Sequence, residues 1–279
     1  LQVLCALCGE KDLMLDTWKA MEITAKDRIL AYLETDRLYA AYAIGDLEPG
    51  LFDQSTWAIA ERGGQLHALA LHFRGLKLPA LFLMGDVEGV RVILESALRP
   101  GPAYLSCRRE HLPIVDDFYV WNEPLAMWRM VLKPERFQAV PGDCMRLTLD
   151  HSDQLTELYT HGGGGGFSVA QVEHGIFHGL CVDSQLVAVA GTHLVSASYS
   201  VAAVGNVFTH PDYRGQGYAT VTTSAVVSEL VNCGIRDIIL NVGQSNAAAI
   251  HIYEKLGFDH HCAFFEGHAC LQATWRSRQ

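Results

Sequence analysis

Apolar positions along the chain change period repeatedly, and each change marks a passage between helix and strand. Residues 23–34 and 36–46 carry apolar side chains at helical spacing, with Asp36 placed as a cap for the second segment. Residues 56–61 and 66–73 alternate around Gly63-Gly64, the pattern of a hairpin. A continuous apolar run at 78–84 predicts a buried strand, and Gly85-Asp86 then opens a helix to about Leu98. Further strands are predicted at 104–107 and 125–132.

Beyond residue 144 the periods predict a strand at 145–149 and a helix from Asp150 or Ser152 to Tyr159. A run of glycines, Gly162 to Gly166, follows and reads as a mobile loop, because glycine loses the most backbone freedom on ordering. A helix at 168–177 comes next, then strands at 180–182, 186–195 and 199–209. A helix from Gly217 to Asn232 ends at Gly234, a residue suited to a left-handed stop. The β-branched run 238–242 predicts a strand. Ser245 or Asn246 caps a helix stopped by Gly257, and two strands close the chain.

Residues 133–143, with two prolines and a glycine, form the best linker. This predicts domains 1–140 and 141–279. The first half repeats part of the second half's element order, which predicts two copies of one α/β fold with a mixed sheet flanked by helices.

Composition narrows the function. About half of the 279 residues are apolar, with no run long enough to span a bilayer as a helix. The net charge of −10 disfavours nucleic acid and anionic membranes as partners over most of the surface. Residues 1–15 lack a basic start and a cleavage site, so no signal peptide is read there. Eight scattered cysteines, Cys107 and Cys181 within strand-like runs, suit buried, reduced thiols and a cytoplasmic location. Cys5-Ala-Leu-Cys8 is a lone pair, and His260 and His261 alternate faces on a strand, so no metal site is expected.

The chemistry concentrates at Tyr213-Arg214-Gly215-Gln216-Gly217-Tyr218-Ala219, between a strand and a helix. Glycines there let backbone approach a ligand, the helix's first N–H groups attract phosphate oxygens, and Arg214 adds a charge-assisted contact. Taken alone, the motif also describes a tight strand-to-helix turn. In the first half the corresponding stretch, 84–90, holds Asp86 and Glu88, which would repel a pyrophosphate.

The stretch from Asn206 to Ala219 resembles the cofactor motif of the GNAT superfamily of N-acetyltransferases, and Asn246 to Phe258 resembles that family's second motif. Val207-Phe-Thr-His-Pro is most similar to the glycine-N-acyltransferase-like branch. The resemblance covers roughly residues 145–266. It implies acetyl-CoA as co-substrate, held by Val207, Phe208, Thr209, Arg214, Gly215, Gln216, Gly217, Tyr218, Ala219 and Asn246. It also implies two parallel strands splayed around the thioester, backbone N–H groups near Val207 and Phe208 for the oxyanion, and Tyr253 as general acid. Asn246 and Tyr253 stand seven residues apart, on one helical face. The first half then becomes a degenerate copy without a cofactor loop.

The strand at 199–209 has no carboxylate, so a carboxylate base is in doubt. His193 is the alternative, His210 a weaker one, and a water chain a third. The expected reaction is direct acetyl transfer to a primary amine of a small molecule, amino acid or peptide. A longer-chain acyltransferase and a CoA-binding module without turnover stay open.

Overall fold

The computed structural model describes residues 17–121, 123–163 and 167–273. Cys5, Cys8 and Gly164 to Gly166 lie outside the described residues. The chain opens with β1 (Lys19–Glu22), α1 (Lys26–Leu33), α2 (Ala41–Gly45), α3 (Pro49–Phe52), β2 (Ser55–Arg62), β3 (Gln65–Phe73), β4 (Ala80–Gly85) and α4 (Val87–Ser96). It continues with β5 (Ala103–Cys107), α5 (Leu112–Phe118), β6 (Tyr119–Trp121), β7 (Leu125–Leu132), β8 (Met145–Arg146), α6 (Ser152–Thr160), α7 (Val169–His174) and β9 (Phe177–Val182). The last elements are β10 (Gln185–Ser196), β11 (Val201–Thr209), α8 (Tyr218–Asn232), β12 (Asp237–Gly243), α9 (Ala247–Leu256) and β13 (Asp259–Leu271).

Two compact units form, and each is discontinuous in sequence. One comprises Leu1–Asp36, Pro49–Ala126 and Ala263–Gln279; the other comprises Arg37–Glu48 and Met127–Cys262. The expected single boundary near residue 140 therefore gives way to an exchange of segments. The proposed linker belongs to the second unit, where Gln138 N–H donates to the Leu256 carbonyl and Val140 N–H to Ser224 Oγ.

In the first unit β1 to β4 form an antiparallel meander, and β4 pairs parallel with β5 through the α4 crossover. Phe265–Ala269 of β13 then pair antiparallel with β5. The second unit repeats the scheme: β8 to β11 form the meander, β11 and β12 the parallel pair around α8. Antiparallel β7 follows, from Met127 to Leu132. Within each unit the strand pairing is mixed and flanked by helices, as the α/β pattern predicts. Their cores are separate clusters: Leu81, Leu83, Val90, Ile93 and Leu105 in the first unit, Val204, Val227, Leu230, Ile238 and Leu240 in the second. Each such buried aliphatic side chain stabilises the fold by about 1.5–3 kcal/mol.

Four local expectations need correction. Residues 36–46 are not one helix: Asp36 ends a 3-10 turn and accepts from Arg108 instead of capping. The helix at 168–177 stops at His174 because Gly175 is extended and Phe177 starts β9. The two closing strands are one long strand, β13. Cys181 is exposed, not buried, although Cys107 is buried as expected.

Candidate active site

The parallel ladder of β11 and β12 runs only from Val201↔Asp237 to Val204↔Leu240, although β11 continues to Thr209 and β12 to Gly243. The strands therefore part after Val204 and Leu240. On β11 the parting is marked by Asn206, held at φ 52°, a left-handed conformation that a non-glycine residue adopts only under constraint. The constraint is visible: Tyr159 Oη donates to the Asn206 carbonyl at 2.7 Å, and Asn206 Nδ2 donates to Gln171 Oε1 at 3.3 Å.

The opening has two distinct faces. Ile238, Leu240 and Val242 point to the face covered by α8 and α9, whereas Ile239 points to the face covered by Ala41, Tyr42 and Leu194. Alternation along β12 places Asn241 on the second face. Gly205 presents the same face, because a Cβ built there would meet the His193 ring.

On the α8 face the strand end leads into the glycine loop. Gly215 (φ 78°) and Gly217 (φ 80°) are both left-handed, and a Cβ at either would meet only open space. Glycine is needed there for conformation, and the space above is free for a ligand. Among the described residues, no N–H from Gly215 to Thr220 donates to a protein acceptor; the first bond of α8 is Val221 N–H to the Gly217 carbonyl. These converging N–H groups at a helix N-terminus form an anion site. Arg214 is exposed, its Nε donating to the Thr209 carbonyl at 3.3 Å and its guanidinium lying over the Phe208 ring. Thr209 Oγ1 is buried without a partner, a polar atom open to a ligand. Val207 and Phe208 lie on the splayed part of β11, and Gln216, Tyr218 and Ala219 complete the loop and first helical turn.

Tyr253 sits on α9 in the α8-side core. Its ring is buried and packs edge-on to Phe258, and its hydroxyl has no hydrogen-bond partner among the described residues. Burial pushes the phenol up to about 12, so it keeps its proton at neutral pH. Asn246 is the N-cap of α9, its Oδ1 accepting from Ala249 N–H at 3.1 Å. Its Nδ2 and the second lone pair of Oδ1 remain for a ligand.

On the other face, His193 occupies an irregularity of β10, between the pairs Thr192↔Val204 and Leu194↔Ala203. The Tyr42 hydroxyl lies 3.0 Å from His193 Nδ1, and the Arg129 guanidinium lies over the Tyr42 ring. The imidazole reaches solvent yet is closely surrounded by protein. That desolvation holds its pKa below the ordinary value, against an upward pull from the Asn206 side chain. Tyr42 was not legible as a site residue, since it lies 151 positions before His193. His210 is elsewhere. Its Nδ1 accepts from Asp212 N–H, its ring packs on His161, and it lines a separate cavity of about 270 Å³ with Glu157 and Asp183.

The start of the glycine run touches this region. A Cβ at Gly163 would fall 2.5 Å from the Phe208 ring, and both Gly162 and Gly163 have positive φ. In the first unit the matching helix, α4, is closed to anions: Asp86 Oδ1 accepts from Glu88 and Gly89 N–H at 2.9 and 3.2 Å. Among the described residues no three or more His, Cys, Asp or Glu side chains form a metal-binding group. No described helix is long and apolar enough to cross a membrane.

Residues 144–258 match the family model "Acetyltransferase (GNAT) family". The [Ribosomal protein bS18]-alanine N-acetyltransferase of Escherichia coli K12 is 41% identical over 54 residues, 19% of this chain and 36% of that protein. The chain thus spans about a third of the curated relatives it matches first. A GCN5-related N-acetyltransferase from Sphaerobacter thermophilus shares the fold at TM-score 0.58 and 15% identity, over 91% of this chain and 95% of that one. A tandem GNAT protein from the clavulanic acid biosynthesis pathway does so at TM-score 0.54 and 11% identity, over 91% and 98%. The family match thus rests on residues 144–258, and the likeness to these solved structures extends the fold alone over most of the chain.

Proposed function

We propose that the second unit transfers an acetyl group from acetyl-CoA to a primary amine of a small molecule, amino acid or peptide N-terminus. The observation that carries this reading is the parting of β11 and β12 directly beside the unbonded N–H groups of Gly215 to Thr220. An elongated anionic thioester suits that arrangement, with its pyrophosphate on the loop and its thioester between the strands.

The two faces then divide the reaction. The amine arrives on the Tyr42 face and its nitrogen lone pair forms the new C–N bond. Backbone N–H groups near Val207 and Phe208 stabilise the oxyanion, an effect worth on the order of 3 kcal/mol. The C–S bond breaks on the opposite face, and Tyr253 donates its proton to the departing thiolate. The ammonium proton passes to His193, which the Tyr42 hydroxyl holds in place. Attack from one face and departure through the other suits direct transfer, with both substrates bound at once.

The first unit, with its α4 terminus capped by Asp86, is proposed to bind no CoA and to be the degenerate copy. Calorimetric titration of acetyl-CoA should give one site per chain, and thiol release over an amine panel should show turnover. Gly217→Asp should abolish binding, because it places a side chain and a negative charge against the pyrophosphate. Two equivalent sites, or wild-type affinity in that variant, would show that the loop has another role. Thiol release with longer acyl-CoA donors sets the chain preference.

A further inference from the structure

Besides Thr209 Oγ1 on β11, the carboxamide of Asn241 on β12 is an unexplained polar group at the parting of the strands. Its Oδ1 is buried and accepts no hydrogen bond, and among the described residues its Nδ2 donates none. Leaving a buried carboxamide unbonded destabilises a fold, and nearly all such groups in native proteins find partners. The neighbouring positions do not share the problem: Ile239 and Leu240 fill the two cores with apolar side chains. Asn241 is the first residue of β12 beyond the last ladder pair, Val204↔Leu240. It stands on the same face as Gly205, against which His193 packs. Two nitrogen-compatible groups therefore flank the mouth of the opening on the Tyr42 face, His193 from β10 and Asn241 from β12.

We infer that Asn241 Oδ1 is the docking acceptor for an N–H of the incoming primary amine. This rests on the acetyl-transfer reading and extends it to a residue that contacts the acceptor. A primary amine has two hydrogens to place besides its attacking lone pair. As the C–N bond forms, nitrogen gains positive charge and its N–H groups become stronger donors. A carboxamide oxygen fixed on one side and the imidazole on the other hold the lone pair toward the acyl carbon. The interaction strengthens in the transition state, so it acts on turnover as well as on binding. A secondary amine can offer one hydrogen to only one of these groups, so primary amines are favoured.

The test compares Asn241→Leu and Asn241→Asp with wild type. Leucine keeps the bulk and removes the polar group; aspartate keeps an acceptor oxygen. Wild-type thiol release with the amine panel is measured first, and its absence overturns both this inference and the acetyl-transfer reading. With wild type active, Asn241→Leu should lower kcat/KM for the amine at least tenfold. Its acetyl-CoA Kd should stay within twofold and its Tm should equal or exceed wild type, because an unbonded buried group has been removed. Asn241→Asp should recover part of the lost rate. An amine kcat/KM within twofold of wild type in Asn241→Leu overturns the inference while leaving the acetyl-transfer reading intact. So does a parallel loss of acetyl-CoA affinity, or a fall in Tm with no recovery by aspartate, each of which assigns the carboxamide to the thioester side or to the fold.

Discussion

His193 lies so close over Gly205 that a methyl group on Gly205 would sit 2.4 Å from the imidazole Cε1 and Nε2. The glycine is not in the left-handed region, so alanine meets no backbone penalty there. What it meets is the ring. Gly205→Ala should therefore displace His193 from Tyr42 and leave the strand pairing intact. If His193 takes the ammonium proton, kcat should fall on the order of 10²-fold, within the range a general base supplies. Acetyl-CoA affinity and Tm should change little. Steady-state kinetics with a thermal melt check this, and an unchanged kcat would remove His193 from the chemistry.

Tyr253→Phe keeps the ring against Phe258 and removes a hydroxyl that has no partner among the described residues. Stability should hold, and acetyl-CoA Kd should hold with it. Turnover should drop about 10²–10⁴-fold if the phenol protonates the thiolate. The wild-type pH profile of kcat gives a second reading. Burial raises Tyr253 to about 12, so this group causes no alkaline loss below that pH. The protein packed around His193 desolvates it and lowers its pKa although the ring reaches solvent, so the acid limb should lie below the ordinary imidazole value of about 6.5. An acid limb well above that value would mean that another group accepts the proton.

The parts of the site that sequence reasoning reached are those fixed by neighbours in the chain. Gly215, Gly217 and the N-terminus of α8 are one local turn, and its φ values of 78° and 80° are what that motif of glycines implies. The α9 start at Asn246 and its stop at Gly257 are equally local. What escaped depends on residues far apart in sequence. Asp36 looks like a helix cap until Arg108, 72 positions later, takes its carboxylate. Tyr42 is one aromatic in an apolar stretch until the fold brings its hydroxyl to His193. The exchange that sends Arg37–Glu48 and β7 into the second unit has no compositional mark, because those segments bury ordinary apolar faces. Asn241 lies in a β-branched run that predicts only a strand; its unbonded oxygen is a property of the parted ladder.

Asp46, just past α2, offers a stability test independent of the reaction. Its backbone N–H bonds to the Tyr42 carbonyl, but among the described residues its carboxylate has no hydrogen-bond or ion-pair partner. Burial pushes its pKa from 3.8 to about 7. The folded state therefore holds a proton between those values that the unfolded state has released. Stability from this group is full below 3.8 and is lost as pH rises through about 7. Above that point the folded protein carries a desolvated, unpaired charge, which costs about 2–4 kcal/mol, since each tenfold change in proton affinity corresponds to roughly 1.4 kcal/mol. Asn has the same shape and no charge, so Asp46→Asn should relieve the penalty only where the penalty exists. At pH 8 the variant should melt roughly 4–16 °C above wild type, at about 2–4 °C per kcal/mol for a domain of this size. At pH 4 the two should melt together, since wild-type Asp46 is already neutral when folded. Melting curves across that range decide the matter. An equal gain at both pH values would trace the effect to packing instead of ionisation, and no gain at pH 8 would mean that water or a cation already stabilises the carboxylate.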